Sequence, residues 1–143
     1  FYLKKAKAAG IPIIVIDPKN DTAVALNAQW IPIRPATDSA LADAMAYVII
    51  KEGLQDQEFL DKAVLALTQH MPEGVDPSLN CLSYLMGEND GIPKTPEWGG
   101  EKITGIPADT SVSWRSAMPP QNRLPLSRDM GTKRMHVGEA KSC

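Results

Sequence analysis

Apolar positions along the chain alternate between two spacings. Residues 11–16 (IPIIVI) are an uninterrupted, mostly β-branched run, which predicts a strand buried on both faces. Pro12 stands near its start, where a missing N–H does least harm, and Asp17-Pro18 ends it. Residues 1–9 mix Lys4, Lys5 and Lys7 with Ala and Leu and predict the end of a helix, with Gly10 at the C-terminal cap. Residues 22–28 predict a short helix capped by Asp21, and residues 30–33 (WIPI) a second short strand. After the turn at residues 34–38, Leu41, Met45, Val48 and Ile49 share one face of a helix over 39–52, capped by Thr37 or Asp38 and closed by Gly53.

Phe59, Leu60, Val64 and Leu67 continue at helical spacing over 57–67, and that helix is expected to end near His70 before Pro72, Gly74 and Pro77. Two further short helices are expected over 79–86 and 96–103, separated by a loop at 87–94, with Gly99-Gly100 arguing against the second. Strands alternating with helices predict an α/β fold, a partial parallel sheet with crossover helices. From Ser111 the periodicity disappears, so residues 1–110 are read as the α/β unit and 111–143 as an irregular basic tail.

With 43% hydrophobic and 22% charged residues, the 143-residue chain is too apolar for a disordered protein, and no apolar run is long enough to cross a bilayer. Charge is distributed unevenly. Residues 1–110 hold nine Lys+Arg against fifteen Asp+Glu, and 111–143 hold six against two. Such a step fits either a basic arm for an acidic partner or a segment of different origin. Cys81 and Cys143 make no CxxC pattern, so neither a disulfide framework nor a metal cluster is suggested. The opening at Phe1, with no initiator Met or targeting segment, reads as internal to a longer gene.

Ligands of open α/β sheets bind beyond the carboxyl ends of the strands. Asp17 stands there, where a carboxylate either accepts hydrogen bonds from two ribose hydroxyls or only caps a turn stiffened by Pro18. The segment Arg34-Pro35-Ala36-Thr37-Asp38 joins a strand end to a helix start. Its free N–H groups suit an anion, Asp38 can accept from guanine N1–H and the 2-amino group, and Arg34 offers a forked donor for phosphate. The alternative is a capped helix beside a surface arginine. No GxGxxG, GxxxxGK[ST] or GxSxG motif is present, so an ordinary dinucleotide fold or P-loop enzyme lacks its main evidence. His70 and His136 lack metal-ligand spacing, the Asn20-Asp21-Thr22 glycosylation triplet is discounted, the three amino-terminal lysines read as a solvated face, and Tyr84 and Trp98 read as packing residues.

The segments IPIIVIDPKNDTAVAL, WIPIRPATDSALADAMAYVIIKEGLQDQEFLDK and DGIPKTPEWGGEKITGIPADT resemble the catalytic A-chain type of the dimethyl sulfoxide reductase family of molybdenum oxidoreductases, with coverage over 1–110. The resemblance implies an α/β domain holding part of a bis(molybdopterin guanine dinucleotide) cofactor, bis-MGD. It places Asp17 at a guanosine ribose and Asp38 at a guanine, with Pro18, Arg34 and Thr37 shaping the sites. The family usually has Arg where Lys19 stands and Gly where Ala36 stands, and a Cβ at Ala36 disfavours positive φ. For a full-length protein the resemblance implies S- or N-oxide reduction, a 4Fe-4S cluster whose ligands are absent here, an iron–sulfur electron-transfer subunit and a membrane anchor subunit, with no nucleic-acid partner. It also implies membrane association after export by a twin-arginine signal. The isolated chain is expected to be inactive and, with an incomplete sheet and exposed apolar edges, to aggregate or be marginally stable.

After GIPADT the family continues with patterns resembling LAxxYAxxKPA and QGxGxQRHA, which the tail lacks. In a shifted reading frame the tail's codons admit Lys-Pro-Ala over 121–124 and Gln-Gly-His-Gly over 127–131, so residues after about Thr110 are expected to be family sequence out of frame. Two other readings stay open on the residues alone: a free-standing guanine-nucleotide-binding module using Asp17 and Asp38, and an interaction scaffold with a basic tail.

Overall fold

The computed structural model describes residues 2–63 and 73–117. Helix α1 (Tyr2–Ala8) closes on Gly10, whose φ of 73° lets Ile11 N–H reach back to Ala6 O. Strand β1 (Ile14–Ile16) runs parallel to β2 (Gln29–Ile31), with Ile14, Val15 and Ile16 opposite Gln29, Trp30 and Ile31. Helix α2 (Asp21–Leu26) makes the crossover and ends at Asn27, which takes the left-handed conformation. The expected cap by Asp21 is not formed: Asp21 is the first helical residue, and Asn20 precedes it without a side-chain cap bond. The expected order of helix, strand, helix, strand is present, and among the described residues the sheet has these two strands.

Two strand expectations are corrected. The 11–16 run forms ladder bonds over three residues and is not buried on both faces: Ile14 and Ile16 are 41% and 38% exposed. A strand is covered on both faces only when neighbouring strands and helices supply the cover, and β1 has one strand neighbour among the described residues. The second strand stops at Ile31 because Pro32 has no N–H to donate. Its continuation is nonetheless the centre of the core, where Ile31 and Ile33 pack with Leu41, Ile106 and part of Met45.

Helix α3 (Asp38–Lys51) carries the expected face, with Leu41 and Val48 buried, and stops at Gly53 with φ of 67°. Thr37 occupies the N-cap position without making the cap bond, because its hydroxyl donates to Arg34 O at 2.7 Å. Helix α4 (Gln57–Ala63) is present, whereas Val64, Leu67 and His70 lie outside the described residues. Pro77–Leu79 form one turn of 3₁₀-helix, after which Asn80 Oδ1 accepts from Ser83 N–H and starts α5 (Cys81–Met86) two residues later than expected.

Pro96–Thr104 form a π-helix instead of an α-helix. A Cβ at Gly99 would lie 2.3 Å from Ala40 O, so the glycine that lowers helix propensity lets this helix touch the backbone of α3. The boundary expected at residue 110 falls inside a helix. Helix α6 (Ala108–Ala117) crosses it, begins directly after Pro107, and packs against α3 and the π-helix. Tertiary packing overrides a composition that carries no apolar stripe. Residues 118–143, His136 and Cys143 among them, lie outside the described residues.

Candidate functional site

Parallel pairing puts the carboxyl ends of β1 and β2 on the same side of the unit, and the two candidate loops leave from there. Asp17 follows β1 directly and is half-buried. Its N–H donates to Ile31 O at 3.3 Å and its carbonyl accepts from Trp30 Nε1 at 2.8 Å, so its backbone is tied to β2 twice. Oδ1 accepts from Lys19 N–H at 2.7 Å, a turn across exposed Pro18. Both readings of Asp17 are thus accommodated: one oxygen caps the turn, and Oδ2 has no donor among the described residues.

Beyond β2, Arg34 donates its backbone N–H to Thr104 O at 3.0 Å and Nη1 to Lys102 O at 2.9 Å and Ile103 O at 3.2 Å. These are the last carbonyls of the π-helix, which lack partners within their own helix. Ala36 takes φ of 63°, the left-handed conformation that a Cβ makes costly by about 1 kcal/mol or more. Thr37 closes the turn onto Arg34 O, and the chain enters α3 with Asp38 as its first residue. The Asp38 side chain is half-buried and receives no hydrogen bond from the described residues. The turn therefore ends on an acceptor-only group at a helix start.

Local pattern did not single out Lys94. It is 1% exposed, its ammonium pairs with Asp90 and donates to Ile92 O at 2.6 Å, and it lies 4.4 Å from the Tyr84 ring centre and 5.0 Å from that of Trp98. The Lys94 ammonium, and after it the Ile92 N–H, hold the Asp90 carboxyl below the usual aspartate range. Asp90 four residues before the lysine and Trp98 four after it were the available signal, but only the folded 87–95 loop brings Tyr84 to the same point. Tyr84 and Trp98 thus do more than pack: they enclose a cation. The Tyr84 hydroxyl also lies 3.5 Å from Oδ2 of buried Asp43 on α3. Among the described residues no group of His, Cys, Asp and Glu could hold a metal ion.

A family model described as molybdopterin oxidoreductase matches residues 1–137, which extends past residue 110. The chain is 40% identical to dimethyl sulfoxide reductase DmsA of Haemophilus influenzae over 97% of its own length and 18% of the relative's. It is 37% identical to DmsA of Escherichia coli over 97% of this chain and 17% of that protein. To trimethylamine-N-oxide reductase of Haemophilus influenzae it is 37% identical, over 96% of this chain and 15% of the relative. The chain thus spans less than a fifth of the length of these relatives.

Proposed function

This chain belongs to the molybdopterin oxidoreductase family, and from that premise we propose that it contributes part of a bis-MGD site to an S- or N-oxide reductase. Membership implies a molybdenum–molybdopterin cofactor. The observation that carries the finer reading is the pair of carboxylates in the two loops that leave adjacent parallel strands, Asp17 directly after β1 and Asp38 at the start of α3, each with acceptor oxygen unbonded among the described residues.

The residues present fit a guanosine end. Asp38 offers two acceptor oxygens to the two adjacent donors of a guanine edge, and Oδ2 of Asp17 is available to a ribose hydroxyl. Ala36 already follows the left-handed path that a glycine would take, so the departure from the family's usual residue leaves the turn formed. Pro18 stiffens the first loop, and Thr37 and Arg34 fix the second. When bound, the cofactor supplies oxygen-atom removal and electron transfer; these residues bind and orient it. The substrate class is read from relatives named for dimethyl sulfoxide and trimethylamine N-oxide. A 4Fe-4S cluster, an iron–sulfur electron-transfer subunit, a membrane anchor and twin-arginine export complete the proposal for the full-length enzyme.

Asp38→Ala in the full-length enzyme is expected to lower both molybdenum content and the GMP released on acid hydrolysis, as is Asp17→Ala to a smaller degree. Unchanged GMP release from both variants would overturn the assignment.

A further inference from the structure

We propose that the π-helix Pro96–Thr104 is the template that positions Asp38, and that Arg34 is the positioning residue that docks the Asp38 turn onto it. This rests on the reading of Asp38 as a guanine acceptor. Arg34 reaches three consecutive carbonyls, those of Lys102, Ile103 and Thr104, through Nη1 and its backbone N–H. A cation at a helix C-terminus is favoured by the partial negative charge there, so Arg34 serves as the cap of the π-helix instead of a phosphate ligand. The approach is close: a Cβ at Gly105 would lie 3.3 Å from Arg34 Nε.

The same helix touches the other side of the turn. A Cβ at Gly99 would meet Ala40 O, in the first turn of α3, so Asp38 stands between two points where the π-helix grips the chain, Arg34 before it and Ala40 after it. Thr37, bonded to Arg34 O, passes the first of these constraints to Asp38. A π-helix is wider than an α-helix, rare, and frequently found at functional sites, and here its ends define the path of the proposed guanine loop.

The test measures equilibrium binding of guanosine, inosine and GDP to the cofactor-free full-length enzyme. Inosine lacks the 2-amino group that Asp38 would accept from, so the guanosine-to-inosine affinity ratio reports the placement of that carboxylate, which a loss of stability alone would not change. Arg34→Met is expected to reduce the ratio by about tenfold while weakening guanosine and GDP equally, and Arg34→Lys to recover part of it. If Arg34→Met weakens GDP far more than guanosine and leaves the ratio intact, Arg34 is a phosphate ligand and the inference is overturned. Should Arg34→Met fail to fold, Gly105→Ala is expected to lower the ratio in the same direction, and an unchanged ratio overturns the inference. Equal guanosine and inosine binding by the unsubstituted enzyme defeats the guanine reading itself, and this inference with it.

Discussion

The half of the molecule built on β1 and the half built on α3 and the π-helix carry apolar runs of similar strength, yet they bury them differently. In the second half Ile31, Ile33, Leu41 and Ile106 close into a core and even a lysine is enclosed. In the first half Ile14 and Ile16 remain partly exposed, and the indole of Trp30 lies open while its Nε1 bonds the Asp17 carbonyl. The difference teaches that a strand pattern records what a segment is suited to meet, whereas burial depends on which neighbours are present. The candidate site lies at the seam. Asp17 leaves the open half and Asp38 enters the closed one.

The comparison is sharpened most by paired truncations. Leu41→Ala is expected to cost about 2–5 kcal/mol, whereas Ile14→Ala should stay within about 1 kcal/mol and reduce self-association. Denaturant unfolding and sedimentation measure the two effects, and equal costs would erase the distinction between the halves. Gly99→Ala comes next, at about 1–3 kcal/mol, since the new methyl presses on Ala40 O. A thermal midpoint unchanged in that variant would show that the π-helix does not lie on α3.

Acid tests the enclosed lysine. Because the Asp90 carboxyl is held below the usual range by the Lys94 ammonium and then by Ile92 N–H, the pair stabilises the fold above the ordinary aspartate pKa. That contribution disappears as pH falls through the depressed value. Asp90→Asn should therefore be less stable than the unsubstituted chain at neutral pH and converge with it in acid, and parallel stability curves would contradict this. The smallest effect is at Ala36. Ala36→Gly relieves the left-handed strain but adds backbone freedom to the unfolded chain, leaving a gain of about 0.5 kcal/mol by chemical denaturation. A loss of stability would show that the turn does not hold its positive φ in solution.

Local pattern made the parallel strand pair, the extent of α3 and the candidate loops legible, because each depends on neighbours a few residues away. The carbonyl partners of Arg34 lie 68 and 69 residues along the chain, so its capping role is written in no local motif. Gly99 reads as a helix breaker until Ala40 is placed against it. Lys94 reads as a loop residue until Asp90, Tyr84 and Trp98 surround it. Helix α6 crosses residue 110 for the same reason, since α3 and the π-helix support it where its composition does not. The roles proposed for Asp17 and Asp38 came from motif resemblance; the fold shows only that Asp17 uses Oδ1 on Lys19 N–H and that Asp38 opens α3.

The most direct measurement of the central claim is a calorimetric titration of the cofactor-free full-length enzyme with GDP and with ADP, repeated on Asp38→Ala. Preference for GDP, reduced at least about tenfold by the substitution, is the result expected if this carboxylate reads a guanine edge. Equal affinity for the two nucleotides, or a GDP preference that survives Asp38→Ala, would contradict it.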